Sequence, residues 1–417
     1  MKERMILGRD AIFSMDTTET GITNNVAVVG SSGSGKTVSV IMPKLLETTE
    51  SSIVCAASKR RVINQFIPVF IARGYKVLDL NLAEPEKSKI CFDPIQYLTC
   101  TEDIAYLSTA LIMSDSRKEG NTKMDPYWDS TSINLLNAII SMTLITTEHA
   151  TMDDVLRNID KLHLRSNGDS IQTSLDDLFD PICKKAPSSF CATNWKVLSE
   201  LGAMKTAGCI LSSLQTMMTT IFTEGLRQQI AKKPCLDIEK IGKEKTILFI
   251  TTSAMNPALN AFVNIFYGQL FRTLFETAMR EKDYRLPVHT SLLFDDFAVG
   301  GVAQNFDQYT SIVREANMDF TILLQSETQL MERYGEYGAK TILNNIDTYL
   351  FLGCNDYDTA RTISLKANVP VEEVLSLPIG REIFFRRGSK PVFTQRYNTF
   401  DDERYIELFC KQKGDDW

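Results

Sequence analysis

The chain has 417 residues, of which 44% are hydrophobic and 23% are charged. These ordinary fractions allow a sizeable core and suggest two or three domains, or one large domain with an insertion. The net charge of −7 argues against a surface that binds nucleic acid everywhere but is compatible with a local basic channel. The nine cysteines form no CxxC pair and, with three scattered histidines, give no zinc spacing, which predicts buried free thiols in a reducing compartment.

The first residues, MKERMILGRD, lack the apolar run of a secretory signal peptide. No run of about 18 consecutive apolar residues occurs in the sequence, so no membrane-spanning helix is predicted. The chain as it stands is therefore expected in the cytosol.

Strand-like and helix-like segments alternate in the first hundred residues. Short β-branched or apolar runs at 26–30, 51–57 and 75–81 predict strands. Residues 60–74 have helical spacing and end on a glycine, with Pro68 as a possible kink. This alternation predicts a parallel sheet with helices on its faces.

The pattern changes between residues 98 and 233. Apolar residues recur at helical spacing, convincing strands are absent, and residues 115–125 form a polar stretch typical of a loop. We therefore predict an all-α insertion at 98–233 that interrupts an α/β domain formed by residues 1–97 and 234–417. In the last part, strands are predicted at 245–253, 289–296, 319–326 and 347–353, a helix at 260–282 and a hairpin at 381–397.

A glycine-rich segment between the first predicted strand and a helix matches G-x-x-x-x-G-K-[ST] in full. Its glycines let backbone N–H groups converge on phosphate oxygens, and the following helix adds its positive end. The lysine is placed to reach the β- and γ-phosphates and the threonine hydroxyl to ligate Mg²⁺, so a nucleotide and Mg²⁺ are the expected cofactors. The residues are Gly30, Ser31, Ser32, Gly33, Ser34, Gly35, Lys36 and Thr37.

Two adjacent carboxylates end the predicted strand SLLFDDF. We expect this strand to neighbour the phosphate-loop strand and strand geometry to point the two side chains to opposite faces. Asp295 is assigned to Mg²⁺ through its water shell and Asp296 to the attacking water. The alternative is that the pair merely ends a strand and starts a turn.

Two further residues are candidates for catalysis. Gln325 follows a strand expected beside the phosphate-loop strand, where it would sense the γ-phosphate or orient water; the alternative is that it caps the next helix. Arg314, predicted on the preceding helix, could act as an arginine finger for a neighbouring subunit. Spacing alone favours a solvated surface arginine.

Several segments together resemble the coupling-protein ATPases of type IV secretion and bacterial conjugation, and they cover most of the chain in the family's order. They are MILGRD, NNVAVVGSSGSGKTVSVIMPKLL, CFDPIQYL, PYWDSTSINLLNAII, LPVHTSLLFDDFAVGG, ILLQSETQLMERYG and TILNNIDTYLFLGCNDYDTARTIS.

This resemblance implies ATP as the nucleotide and a RecA-like domain interrupted by an all-α domain. The all-α domain would recognise relaxase-bound DNA or a secreted protein. It also implies a hexameric ring at the inner membrane face, docked on the components of the secretion channel. Nucleotide sites would lie between subunits, which would give Arg314 its role in trans. The isolated chain could be a monomer, because members of this family usually carry an N-terminal membrane anchor, which this sequence lacks.

Two departures from the family pattern concern catalysis. The run that usually reads like Asp-Pro-Lys-Gly-Glu is Ala57-Ser58-Lys59-Arg60-Arg61 here, so two carboxylates are missing, and Asp296 stands where glutamate is usual. They leave open a second hypothesis, a nucleotide-binding docking adaptor with little or no hydrolysis. A GTPase or small-molecule kinase is disfavoured, since the sequence has no N-K-x-D motif and the insertion is unlike a kinase lid.

Overall fold

The structure is a computed structural model of the chain. It describes residues 3–57, 60–113, 126–167, 170–199, 204–252, 259–297, 303 and 305–410. The predicted polar loop at 115–125 lies outside these residues, as do Ser58 and Lys59.

Most strands predicted from the sequence are confirmed within one or two residues at each end. The strands are β1 (Arg4–Gly8), β2 (Ala11–Ser14), β3 (Val26–Val29), β4 (Ser52–Ala57), β5 (Lys76–Asn81), β6 (Leu164–Asn167), β7 (Ser170–Thr173), β8 (Thr246–Thr251), β9 (Thr290–Phe294), β10 (Met318–Leu324), β11 (Thr348–Phe351), β12 (Arg381–Arg386) and β13 (Val392–Gln395).

The helices include the predicted long helix at 260–282. They are α1 (Thr17–Thr20), α2 (Met42–Glu47), α3 (Arg60–Ala72), α4 (Thr101–Met113), α5 (Pro126–Thr146), α6 (Met152–Lys161), α7 (Asp176–Lys185), α8 (Phe190–Ser199), α9 (Met204–Ile221), α10 (Glu224–Lys232), α11 (Ile238–Lys243), α12 (Asn260–Arg280), α13 (Phe306–Ile312), α14 (Glu327–Asn344), α15 (Tyr357–Ala367), α16 (Val371–Leu375) and α17 (Glu403–Phe409). A π-helical turn at Thr37–Ile41 precedes α2, and 3-10 turns lie at Pro85–Lys87, Pro94–Tyr97 and Thr399–Asp401.

The main sheet has nine strands in the order β13-β12-β11-β3-β10-β9-β4-β8-β5. The seven from β11 to β5 run parallel, and β12 and β13 add an antiparallel edge. Every residue of β3, β4, β8, β9, β10 and β11 is buried, as expected for parallel strands covered on both faces. The predicted α/β class with a parallel central sheet is confirmed.

The chain forms two compact units. The first comprises Met1–Asn81, Asp237–Ala254 and Leu270–Trp417, and the second comprises Leu82–Leu236 and Met255–Gln269. The second unit thus begins before the predicted boundary at residue 98 and includes residues that we assigned to the nucleotide-binding domain. Aromatic packing accounts for this difference, because Phe92 lies against Phe262 (5.4 Å between ring centroids) and Phe266 (5.0 Å).

Two short antiparallel hairpins were not predicted. β6 pairs with β7 inside the mainly helical unit, so the expectation of an insertion without strands is corrected there. The Asn-Gly pair at 167–168 is a hairpin signal that the helical periodicity around it obscured. β1 pairs with β2 at the start of the first unit. Among the described residues, every helix is too short or too polar to cross a bilayer.

Candidate active site

The phosphate loop follows β3 and is fixed by both neighbouring strands. The backbone N–H of Gly30 donates to the carbonyl of Leu324 at the end of β10 (3.1 Å). The N–H of Ser31 donates to the carbonyl of Gly353 just after β11 (2.9 Å). The start of the loop is therefore held at the carboxyl edge of the sheet, which is where ligands bind in open α/β sheets.

Two glycines give the loop its shape. Gly33 (φ 79°) and Gly35 (φ 90°) have left-handed backbone conformations, which residues with a Cβ rarely adopt. Ser32, between the loop's start and Gly33, is exposed. A loop bent in this way can turn successive N–H groups toward one anion.

The loop concentrates a positive charge and an unpaired hydroxyl. Lys36 is 7% exposed, and its ammonium donates to the carbonyls of Gly30 and Ser31 (3.1 Å to the latter). The hydroxyl of Ser34 is buried and has no hydrogen-bond partner among the described residues. A phosphate oxygen would supply that missing partner, so the residues present fit a nucleotide phosphate.

The magnesium ligands predicted from the sequence meet in the structure. The Thr37 hydroxyl donates to Oδ2 of Asp295 at 3.0 Å, although 258 positions separate the two residues. Both supply the oxygen atoms that Mg²⁺ prefers, and nucleotide-bound Mg²⁺ takes one or two protein oxygens and completes its shell with water and phosphate. These two residues therefore fit a magnesium ion.

The helix after the loop begins with a wider turn than predicted. The N–H of Met42 donates to the carbonyl of Thr37, five residues earlier. Pro43, the next residue, has no N–H for a regular helical bond, which accounts for the local change of pattern. Single π-turns of this kind are frequent at functional sites.

The strand that carries the two carboxylates is placed differently from the prediction. β10 lies between β9 and β3, so the carboxylate strand is not the immediate neighbour of the phosphate-loop strand. The contact with Asp295 is made instead by Thr37, which extends from the turn after the loop. The negative charge of Asp295 also contributes, after burial, to the raised pKa of the Cys55 thiol on β4.

Asp296 is oriented by its own backbone rather than by strand alternation. β9 ends at Phe294, and Asp296 is half-buried with φ 54°. The next N–H, that of Phe297, donates to the carbonyl of Leu323 (3.0 Å), so the chain turns back onto β10. A left-handed non-glycine residue costs about 1–3 kcal/mol and is enriched at functional sites.

Gln325 lies where the sequence predicted, directly after β10 and beside the phosphate-loop strand. The helix that follows, α14, is capped by Ser326, whose side chain accepts from the N–H of Gln329 (3.3 Å). The capping alternative for Gln325 therefore loses its basis. Its half-buried side chain stays a candidate for sensing the γ-phosphate.

One carboxylate near this edge was quoted in a family-like segment but given no role. Asp356 caps α15, accepting from the N–H of Thr359 (2.9 Å) and from its hydroxyl (2.5 Å). It also accepts from the hydroxyl of Thr328 on α14 (2.9 Å). The hydrogen bonds to these two threonines lower the pKa of Asp356 against the effect of burial. Asp356 thus ties together the loops that follow β10 and β11.

Sequence reasoning missed Arg396, which lies directly on the phosphate loop. It follows β13, and its guanidinium donates to the carbonyl of Ser34. A Cβ on Gly35 would lie 2.4 Å from Nη1 of Arg396, so a side chain here would displace the guanidinium in addition to straining the left-handed backbone. The sequence TQRY around it carries no motif that could have identified it.

Arg314 is not part of this assembly of residues. α13 ends at Ile312, so Arg314 lies on the turn after the helix that was predicted to carry it, and it is exposed. It lines a cleft with His289 and Asn317, which precede β9 and β10, whereas the phosphate loop lies at the opposite edge of the sheet. Seven residues of β10 separate the two edges by about 20 Å, so Arg314 cannot reach the site of its own subunit.

The segment after β4, where the resemblance led us to expect two carboxylates, is only partly described. Arg60 forms a two-bonded ion pair with Asp79 of β5 (2.6 and 2.7 Å) and also donates to the hydroxyl of Thr251 (3.0 Å). Its charge is therefore compensated within the protein.

Comparison with known families agrees with the geometry. The family described as "Type IV secretory system Conjugative DNA transfer" matches residues 3–367. The chain belongs to this family. The search of curated proteins found no match.

Solved structures confirm the RecA-like P-loop fold. The bacterial conjugative coupling protein TrwBdeltaN70, in complex with sulphate, is 17% identical with a TM-score of 0.62, over 89% of this chain and 85% of that one. The plasmid coupling protein TrwB, in complex with the ATP analogue ADPNP, is 16% identical with a TM-score of 0.59, over 90% and 85%. VirB4 of Thermoanaerobacter pseudethanolicus is 13% identical with a TM-score of 0.59, over 95% and 97%.

Proposed function

We propose that this protein is an ATP-hydrolysing coupling protein. It recruits relaxase-bound DNA, or a protein substrate, and drives it into a type IV secretion channel. The observation that carries the proposal is the 3.0 Å contact between Thr37 and Asp295, which joins the phosphate loop to the strand-end carboxylate in a chain of this family. The solved TrwB structures with ADPNP and with ADP and Mg²⁺ support ATP and Mg²⁺ as the cofactors.

Each site residue has a distinct role in this proposal. The loop N–H groups and Lys36 hold the phosphates and neutralise the charge that develops during phosphoryl transfer. Thr37 and Asp295 hold Mg²⁺, which would stabilise charge on the β- and γ-phosphates when bound. Asp296 accepts the proton of the attacking water, and Gln325 orients that water.

The mainly helical unit is proposed to recognise the substrate. Six such chains would assemble into a ring at the inner face of the membrane, where a neighbour would supply Arg314. Support for the trans role is that Arg314 is exposed and lies about 20 Å from its own phosphate loop. It could therefore act only on a site of another subunit.

A second candidate, a docking adaptor with little hydrolysis, is favoured by one observation. Asp296, the proposed base, is one methylene shorter than glutamate and its direction is set by a left-handed backbone. The absence of the two carboxylates expected after Ala57 also favours the adaptor. In an adaptor, ATP binding would order the protein without being followed by efficient turnover.

One experiment separates the two candidates. ATP binding and ATP turnover are measured on the full chain, alone and with single-stranded or double-stranded DNA, using Lys36→Ala to remove binding and Asp296→Asn to remove the base. The coupling-protein proposal expects low basal turnover that DNA raises when subunits assemble and that Asp296→Asn abolishes without loss of binding. Tight ATP binding with no turnover in any assembled state would refute hydrolysis and favour the adaptor.

A further inference from the structure

Two cysteines in the mainly helical unit lie next to each other across a backbone bridge. Cys91 and Cys235 are direct partners in a parallel β-bridge. The N–H of Cys91 donates to the carbonyl of Pro234 (2.9 Å), and the N–H of Leu236 donates to the carbonyl of Cys91 (2.8 Å). The Cys91 thiol donates to the carbonyl of Lys233 (3.3 Å), two residues before Cys235.

This geometry suits a disulfide. Adjacent strands lie about 4.8 Å apart, within the range of about 4.4–6.8 Å between Cα atoms that a disulfide spans. Because Cys91 and Cys235 are bonded through their backbones, closing the S–S bond would require little more than rotation of two side chains.

Neighbouring contacts hold both segments in register. Gln229 donates to the carbonyl of Ile90 (2.9 Å), and the Tyr97 hydroxyl donates to the carbonyl of Leu236. The ring of Phe92 stacks on that of Tyr97 at 5.5 Å. The thiols are therefore preorganised by packing rather than brought together by chance motion of a loop.

The two sulfurs differ in the way that an attacking thiol and its resolving partner must differ. Cys235 is exposed and Cys91 is buried. The neighbouring Cys91 thiol lowers the pKa of Cys235, whereas the proximity of Cys235 together with burial raises the pKa of Cys91. The accessible sulfur is thus the one with the greater thiolate character, which is the form that reacts with oxidants.

We propose that Cys91 and Cys235 form a redox-active dithiol that hydrogen peroxide oxidises to an intramolecular disulfide. The Cys235 thiolate attacks one peroxide oxygen, the O–O bond breaks, and the hydroxide released takes up a proton to become water. Cys91 then attacks the sulfur of the resulting sulfenic acid. The S–O bond breaks, and the departing hydroxide leaves as water with the Cys91 proton. Two thiols lose two electrons, and one peroxide becomes two waters.

A disulfide between Cys91 and Cys235 would join the two ends of the longest segment of the mainly helical unit. Cys91 lies soon after the segment begins at Leu82, and Cys235 precedes its end at Leu236. A disulfide across so long a loop restrains the unfolded chain strongly. In a reducing compartment such a bond is transient, which suits a sensor rather than a structural staple.

The test uses the full chain in a Cys100→Ser background, so that the tryptic peptide 90–117 contains a single cysteine and the peptide 233–240 contains the other. Reduced protein is treated with stepwise additions of hydrogen peroxide, alkylated and digested without reduction. The expected result is a cross-linked pair of these peptides, two hydrogen atoms lighter than their sum, which dithiothreitol reverses. It forms before Cys209, which is also exposed, loses its reactivity toward the alkylating reagent.

A second variant and a stability measurement complete the test. In Cys91→Ser the Cys235 sulfenic acid cannot be resolved, so it should be trapped by dimedone. Peroxide should raise the unfolding midpoint of the parent protein and leave that of Cys235→Ser unchanged. The proposal is overturned if peroxide modifies Cys235 of the parent protein while Cys91 remains a free thiol, or if Cys209 is oxidised as fast as Cys235.

Discussion

Glu382 is a buried carboxyl group with no hydrogen-bond partner among the described residues, and its replacement by glutamine measures what its burial costs. It lies on β12 opposite Thr394 of β13 and is 0% exposed. Neither carboxyl oxygen has a hydrogen-bond partner among the described residues. A Cβ on Gly8 would lie 2.2 Å from Oε1, so a glycine at that position leaves the space that the carboxyl group occupies.

Burial raises the pKa of Glu382 from 4.5 to about 8, although the charge of Arg396 acts in the opposite direction. The folded protein therefore holds this proton more tightly than the unfolded chain does. The resulting stability is fully present below pH 4.5 and is lost as the pH rises to 8. A shift from 4.5 to about 8 corresponds to about 5 kcal/mol in total, of which about 3 kcal/mol falls between pH 6 and pH 9.

Glu382→Gln keeps the size of the side chain and removes the titration. Amide hydrogen exchange of β12 and β13 measures local stability, and the ratio of protection factors of variant and parent at each pH cancels the intrinsic exchange rates. We expect this ratio to rise by up to about 100-fold from pH 6 to pH 9, since about 1.4 kcal/mol corresponds to a factor of ten.

The matched control is Glu373→Gln, which removes an exposed carboxylate from α16 of the same unit. Its ratio should stay flat over the same pH range. A flat ratio for Glu382→Gln as well would show that this carboxyl group finds water or a partner in the folded state, and the burial argument would then be wrong.

The remaining predictions concern the nucleotide site. Asp295→Asn should weaken the binding of Mg²⁺-ATP by about 10–100-fold, which is the loss expected for one charged interaction. Calorimetry should show that binding of ATP without Mg²⁺ is nearly unchanged. An equal loss of affinity with and without Mg²⁺ would contradict the metal role. Arg396→Ala should raise the KM for ATP more than it lowers kcat, because the guanidinium positions the phosphate loop. Arg396→Lys should partly restore the KM. Unchanged kinetics in both variants would refute this role. Arg314→Ala subunits mixed with Lys36→Ala subunits should regain turnover if Arg314 acts in trans, whereas confirmed mixed rings without rescue would count against it.

The central sheet could be predicted because its strands carry their signal locally. β3, β4, β8 and β9 are short apolar runs that are buried along their whole length, and helical spacing separates them. The order of the strands is not a local property. For this reason the separation of β9 from β3 by β10 was not predicted, although β10 was expected beside β3 and Thr37 and Asp295 were assigned to the same Mg²⁺.

The residues that sequence reasoning missed depend on contacts between distant parts of the chain. Arg396 contacts Ser34 across 362 positions, and it does so because the antiparallel edge formed by β12 and β13 ends beside the phosphate loop. Its neighbours in the sequence give no indication of that position. Cys91 and Cys235 are a similar case, since each looks like an isolated thiol until the bridge between them is known.

The aspartate at position 296 is compatible with the left-handed backbone conformation found there. The sequence analysis expected glutamate at this position, and aspartate places the proposed base one methylene farther from the phosphates. The structure places this residue in the left-handed region at φ 54°, which aspartate and asparagine adopt more readily than longer side chains because they can hydrogen-bond locally. A glutamate would reach farther but would be less compatible with the turn that returns the chain to β10. The position of the proposed base is therefore set by the backbone as much as by side-chain length. Asp296→Glu should lower the unfolding midpoint without raising ATP turnover, and a variant that hydrolyses ATP faster at unchanged stability would contradict this.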